Sequence, residues 1–194
     1  MLKEVAMTEV GMTARARELL GEAYGRRGLV VPRLDTQSPA EIPTPYRELL
    51  VHDADMTSTL KRFHRDTLKL DRLNVVEGDG FVEREVLLRR ATDQEPVEYG
   101  VIRIMLSPFS PAAQEAIVEG RRPLGQILDD FEIPYQSSPS EFFRVGKCEL
   151  LDGLFEDNEG TVRFGRVNSL SLPSGDQLAV VLEILPRVKF DSAD

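Results

Sequence analysis

The segments FVEREVLLRR (81–90) and VEYGVIRIML (97–106), joined by ATDQEP, decide the fold class. Both are rich in aliphatic and β-branched residues, and the polar connector has the composition of a turn, so together they predict a β-hairpin. The last third of the chain repeats this arrangement, with TVRFGRVNSLSL (161–172) and QLAVVLEILPRVKF (177–190) joined by PSGD. Strands that follow one another as hairpins favour an antiparallel sheet.

Helices are predicted in blocks outside these hairpins. Apolar spacing, capping residues and prolines at first helical positions predict helices at 13–25, 56–68, 111–119 and 123–131. Residues 28–45 hold four prolines and no apolar period, which predicts an extended segment. We expect one α+β domain at 46–190, with an antiparallel sheet of about six strands, and an N-terminal helix and proline-rich segment at 1–45.

Composition excludes several classes of protein. The 24 basic and 33 acidic residues give a net charge of −9, which argues against a nucleic-acid-binding domain. One cysteine and two histidines argue against disulfides and a metal centre. No apolar run is long enough to span a membrane, and the N-terminus has no apolar signal region. We expect a cytoplasmic protein, monomeric or weakly self-associating. The acidic residues 149–159 predict a solvated loop.

Two charged residues stand on otherwise apolar strand faces, and both are candidates for function. Arg84 shares its face with Val82, Val86 and Leu88, and Glu183 with Ala179, Val181 and Leu185. The other face of the first strand is predicted to be wet; it carries Glu83, Glu85, Leu87 and Arg89. A buried guanidinium needs an anionic partner and a buried carboxylate needs a cationic one. Arg84 and Glu183 either pair with each other or line a cavity and meet through a ligand.

Further candidates are weaker. The predicted helix starts in DADMTSTL (53–60) and RRPLGQIL (121–128) offer free N–H groups, as every helix start does. Arg103 shares a strand face with Tyr99 and is a candidate for a second anion contact, the alternative being a solvated rim position.

Four segments in order resemble the chorismate lyase family: LLVHDADMTSTL, REVLLR, SPAAQEAIVEGRRPLGQIL and VVLEILP. The resemblance covers about residues 46–188. It implies an antiparallel sheet whose helices cover a buried site, and the conversion of chorismate to 4-hydroxybenzoate and pyruvate with no metal or organic cofactor. The product would serve ubiquinone or another phenolic metabolite.

The resemblance also implies roles for particular residues. Arg84 would hold the ring carboxylate, and Glu183 would contact the hydroxyl end of the ring and assist proton transfer. Met56 and Leu124 would offer backbone amides. Some members carry a second arginine where this chain has Val101, so Arg103, two residues on, would meet the enolpyruvyl carboxylate instead.

Two other interpretations stay open. The same fold serves as the ligand-sensing domain of some bacterial transcription regulators, but residues 1–45 are too little for a DNA-binding module, which leaves a non-catalytic binder of an aromatic carboxylate. The third interpretation is a scaffold in which Arg84 and Glu183 form a structural pair.

Overall fold

The computed structural model describes residues 14–158 and 160–188. Within these ranges the helices are α1 (Ala14–Gly25), α2 (Tyr46–Leu50), α3 (Met56–His64), α4 (Pro111–Glu119), α5 (Leu124–Asp130) and α6 (Glu149–Phe155). The strands are β1 (Leu34–Thr36), β2 (Leu68–Gly78), β3 (Phe81–Arg90), β4 (Pro96–Met105), β5 (Gln136–Val145), β6 (Arg163–Ser171) and β7 (Gln177–Leu185). No helix in this part of the chain has the length and apolar character needed to cross a membrane.

The strands form one sheet in the order β1-β5-β6-β7-β4-β3-β2, and every neighbouring pair is antiparallel. The predicted α+β class with an antiparallel sheet is confirmed. The sheet has seven strands where about six were expected, because part of the proline-rich segment pairs with β5 as β1.

Besides β1, the strands β2 and β5 and the helices α2 and α6 were not predicted. β2 lies at an edge and its residues are exposed or half-buried, so it has no apolar face to mark it. β5 begins with the polar run QSSPSE and is bulged between Pro139 and Glu141. The solvated loop expected at 149–159 is wrong over Glu149–Phe155, because α6 forms there. Asp152 and Asp157 bind the buried Arg163, at 2.6 and 3.1 Å.

The two faces of the sheet are covered differently. One face, here called the α1 face, packs against α1 and α6 through a continuous apolar cluster. The other face, here called the cavity face, has two separate covers: α4 and α5 over one end, and α2 and α3 over the other. A gap is left between the two covers, and it exposes the middle of the cavity face.

The expectation of a wet face on β3 is wrong. Glu83 and Glu85 are buried on the α1 face. Arg26, just after α1, binds Glu83 at 2.5 Å, and Arg27 binds Glu85 at 2.9 Å. The hydroxyl of Tyr99 also donates to Glu85, at 2.8 Å. The alternation of charged and apolar residues looked like a solvent-facing pattern, but the charges are neutralised inside an interface.

Candidate functional site

The gap in the cavity face opens into a cavity with about 750 Å³ of empty space, mouth included. Most of the wall is apolar and comes from β3, β4, β7 and the starts of α3 and α5. The main polar side chains on the wall are Arg84, Glu98, Glu183, Asp55, Tyr135 and Asn168.

Four of the five predicted site residues meet at this cavity. Arg84, Glu183, Met56 and Leu124 all line it, although they come from four different elements. Their roles toward a ligand stay predictions. Asp55 caps α3 by accepting from the Ser58 amide at 2.8 Å, which fixes the start of that helix at the wall.

The placement predicted for Arg103 is wrong. Arg103 lies on the α1 face, where it donates to Glu83 at 2.9 and 3.2 Å and pairs with Glu18 and Glu22. Strand alternation explains this, because Arg103 shares a strand face with Tyr99 and Val101, which both pack in the apolar cluster of the α1 face. Val101, where some chorismate lyases carry arginine, is buried on that same face.

Arg84 is a buried guanidinium with no acidic partner in the described part of the chain. Nη1 donates to the carbonyl of Arg122 at 3.2 Å and Nη2 to the carbonyl of Ile117, while Nε has no partner. Burial, with a smaller contribution from the nearby charge of Arg72, lowers the pKa of Arg84 to about 10. The group still carries its positive charge at neutral pH, so it can receive an anion from the cavity.

The end of α4 shapes this corner of the cavity. Gly120 ends the helix with φ 65°, a left-handed conformation that favours glycine. A Cβ on Gly120 would lie 3.3 Å from Nη1 of Arg72 and 3.4 Å from Nε of Arg84. Arg72 donates to the carbonyl of Glu119 at 2.9 Å. Two guanidinium groups are therefore packed around one glycine.

Glu183 is paired, but not with Arg84. Arg166, opposite it on β6, donates through Nε to Oε2 of Glu183. Nη1 of Arg166 donates to the carbonyls of Leu50 and His52, at 2.9 and 2.8 Å, and Nη2 has no partner. The proposed structural pair between Arg84 and Glu183 is therefore wrong. Sequence reasoning missed Arg166, although a charge that shares its strand face with Phe164 and Leu170 was a usable signal.

Glu98 is the second site residue that sequence reasoning missed. It is 5 % exposed, lines the cavity, and its Oε2 has no hydrogen-bond partner. Burial raises the pKa of Glu98 well above its ordinary value near 4.5, and the negative charge of Glu183 adds to the shift. Its signal was the same as that of Arg84, since Glu98 shares a strand face with Gly100, Ile102 and Ile104.

Gly100 makes room for Glu98. A Cβ at Gly100 would lie 3.2 Å from Cγ2 of Val86 and 3.4 Å from Oε1 of Glu98. The carboxyl of Glu98 therefore lies close to the backbone of its own strand at Gly100. Gly100 aligns with Glu183 across the β4–β7 pair, so the two carboxyl groups are neighbours.

The cavity thus has two polar ends. Arg84 aligns with Ile102 of β4, whereas Glu183 aligns with Gly100, so the two charged residues are two strands and two residues apart. That separation corresponds to about 10 Å across the sheet and about 7 Å along it. One end offers a guanidinium with no acidic partner among the described residues, and the other offers the carboxyl of Glu98 and the carboxyl of Glu183, which is paired with Arg166. No group of three metal-ligating side chains occurs among the residues described.

Comparison with known proteins supports the fold. No family model and no curated protein matches the sequence. PhnF from Mycobacterium smegmatis aligns over 91 % of this chain and 99 % of its own, with 9 % identity and a TM-score of 0.56. The possible transcriptional regulator YydK from Bacillus subtilis aligns over 66 % of this chain and only 61 % of its own, with 7 % identity and a TM-score of 0.49.

A third solved structure is the ligand-binding domain of a putative GntR-family transcriptional regulator from Bordetella bronchiseptica. It aligns over 66 % of this chain and 92 % of its own, with 9 % identity and a TM-score of 0.45. The likeness to PhnF spans nearly all of both chains, and it shows that the fold is shared. The architecture is the chorismate lyase-like α+β fold.

Proposed function

We propose that this chain is a binding protein for a small aromatic carboxylic acid, of which 4-hydroxybenzoate is the reference ligand. The observation that carries the proposal is Arg84, a buried cation that lines an apolar cavity and has no acidic partner among residues 14–158 and 160–188. Guanidinium and carboxylate form planar, bidentate pairs that are strong when shielded from water. A ligand carboxylate would supply the counter-charge that the fold leaves out.

The apolar walls favour a hydrocarbon or aromatic body between the two polar ends. Leu70, Val86, Leu88 and Ile102 lie along the strands, and Leu124 and Leu128 lie on α5. Burial of an aromatic ring against such groups contributes roughly 25 cal/mol per Å² of apolar surface removed from water. The ring would carry its carboxylate toward Arg84 and its para substituent toward Glu183.

The test is isothermal titration calorimetry with 4-hydroxybenzoate and with its neutral isostere 4-hydroxybenzamide. The acid should bind and the amide should bind at least about 30-fold more weakly, because truncating one partner of a buried charge pair costs about 2–5 kcal/mol. Equal affinities for acid and amide would remove Arg84 as the anion contact, and no binding of either would remove the proposal.

Chorismate lyase activity is the second candidate. The observation in its favour is that Arg84 and Glu183 line one cavity, as the resemblance to that family implies. Against it stands the placement of Arg103, which leaves the enolpyruvyl carboxylate without the contact expected for it. The test is incubation with chorismate, with 4-hydroxybenzoate absorbance and pyruvate as readouts. Activity that survives excess EDTA would establish a metal-independent lyase, and no product above the uncatalysed rate would leave binding alone.

A further inference from the structure

Glu98 carries a carboxyl oxygen that no residue in the described part of the chain contacts by a hydrogen bond. Its carboxyl lines the cavity, is almost fully buried, and has an oxygen without a hydrogen bond. Buried polar groups in proteins nearly always have partners, and one that lacks a partner costs about 1–3 kcal/mol. A partner supplied by a ligand would remove that cost.

The charged groups around Glu98 do not supply one. Glu183 faces it from β7, Arg166 from β6, and Asp55 from the segment before α3. Arg166 uses Nε for Glu183 and Nη1 for the carbonyls of Leu50 and His52, while its Nη2 forms no hydrogen bond to Glu98 or to any other described residue. His52 lies beyond Arg166, and its own ring nitrogens contact the carbonyls of Leu49 and Ala54.

We propose that Glu98 determines which ligands the cavity accepts, by requiring a hydrogen-bond donor at the end of the ligand opposite its carboxylate. This inference rests on the proposed function, since it assumes that the carboxylate lies at Arg84. The donor is a hydroxyl or an amine, and it donates a hydrogen bond to the free oxygen of Glu98. A ligand that ends there in hydrogen leaves that oxygen unsatisfied.

A second carboxylate at this end is excluded by the same groups. It would face the negative charge of Glu183, whose counter-ion Arg166 is already engaged, and the carboxyl of Glu98 beside it. Like charges brought together in a site with little water repel strongly. The cavity therefore selects monoacids with a donor, and discriminates against dicarboxylic acids.

The first experiment uses the unmodified protein and four para-substituted probes: benzoate, 4-hydroxybenzoate, 4-(aminomethyl)benzoate and terephthalate. Calorimetry should show that at least one of the two donor-bearing acids binds about 10-fold or more tightly than benzoate, and that terephthalate binds most weakly. Equal binding of benzoate and both donor-bearing acids overturns the role of Glu98 while the proposed function stands. If none of the four acids binds, the proposed function fails as well.

Repeating the titration in buffers of different ionisation enthalpy shows whether a proton is released on binding, and this distinguishes a hydroxyl donor from an ammonium donor. A neutral hydroxyl leaves the proton on Glu98, so no proton is released. An ammonium favours the ionised carboxylate, so 4-(aminomethyl)benzoate should release a proton as it binds. Either result identifies the preferred donor, and the tighter of the two acids identifies the ligand class.

Variants then assign the preference to Glu98. Glu98→Leu should reduce the preference for 4-hydroxybenzoate over benzoate to about 2-fold or less, because no acceptor remains. Glu98→Gln keeps a carbonyl acceptor and should retain the preference for the hydroxyl. Glu141→Gln is the matched control: Glu141 is also buried, but it accepts from the amides of Arg15 and Ala16 away from the cavity. An unchanged preference in a folded Glu98→Leu protein overturns the proposal.

Discussion

Arg166 and Glu183 face each other across β6 and β7, and a hydrogen bond from Nε of Arg166 to Oε2 of Glu183 joins them. Arg166 also holds the carbonyls of Leu50 and His52, so this pair ties the sheet to the segment between α2 and α3. Glu183 therefore has a structural partner as well as a position on the cavity wall.

The first prediction concerns the stability of this pair. Glu183→Leu should destabilise the protein by about 3–5 kcal/mol, because it leaves the buried Arg166 without a counter-charge. Replacing both residues by leucine should recover most of that loss, since no unpaired charge remains. Urea unfolding of the two single variants and the double variant measures the coupling. Losses that simply add in the double variant would contradict the pairing.

The second prediction concerns Arg84. Arg84→Ala should weaken binding of 4-hydroxybenzoate by roughly 30- to 4,000-fold. The melting temperature should fall only modestly, because the change removes two hydrogen bonds to backbone carbonyls but leaves no acidic partner uncompensated among the described residues. Arg84→Lys should also bind poorly, since an ammonium cannot reproduce the planar fork. Calorimetry and thermal melting on the same samples provide both readouts.

Arg103→Ala is the control for this experiment. Arg103 lies on the α1 face with Glu83, so its loss should lower stability and leave affinity unchanged. The assignment of the carboxylate to Arg84 fails if Arg103→Ala weakens binding as much as Arg84→Ala does, or if Arg84→Ala unfolds the protein.

The third prediction concerns the pH dependence of stability. The pKa of Glu98 in the folded protein lies well above its ordinary value near 4.5, because the group is buried beside Glu183. The folded state then holds a proton that the unfolded chain releases, so stability falls as pH rises from about 4.5 toward the folded pKa. Glu98→Gln removes this dependence, and should be more stable than the unmodified protein at about pH 8 but not at about pH 4.5.

Urea unfolding of both proteins across this pH range measures the difference. Asp35, Asp66 and Asp93 have lowered pKa values and act in the opposite direction, which is why the difference between the two proteins is needed. A stability difference that is constant with pH would show that Glu98 does not titrate in the way described.

The fourth prediction concerns the N-terminal helix. A chain cut to residues 46–190 should lose its cooperative melt, because α1 and β1 are removed from the apolar cluster and the sheet edge. The double variant Arg26→Ala/Arg27→Ala should cost about 1–3 kcal/mol, through the loss of charged hydrogen bonds to buried carboxylates. Circular dichroism melts test both, and a cooperative melt of 46–190 would show that it is an independent domain.

Local sequence pattern predicted the elements that are clearly marked by apolar runs and by turn or capping residues. Helix α4 was predicted with its observed bounds, and the β3–β4 hairpin to within one residue, because their apolar faces and turn residues agree. The predictions failed where a charged residue is neutralised by a partner distant in sequence. Glu83 and Glu85 were predicted to be solvent-exposed, because the local sequence does not indicate that Arg26 and Arg27 pair with them.

The same limit applies to the site. Arg84 and Glu183 could be found because each is a lone charge on an apolar strand face. Their partners could not be predicted from the sequence. The partner of Glu183 depends on the pairing of β6 with β7, and the partners of Arg84 depend on where α4 ends. Glu98 carries the same signal, a lone charge on an apolar strand face. The prediction for β4 instead used Tyr99 and Arg103, which lie on the opposite face of that strand.

The order of strands in the sheet has a consequence for folding kinetics. The cavity needs β4 beside β7, where Gly100 aligns with Glu183, and these two residues are distant in the chain. Contacts between distant residues form slowly, since the entropy of closing a large loop is lost before the contacts can stabilise the protein. The β2–β3–β4 and β5–β6–β7 meanders can each form from local pairings, and the cavity wall is completed only when the two join. A ligand should therefore bind only after the two meanders have joined. Its binding should slow the unfolding step in which they separate.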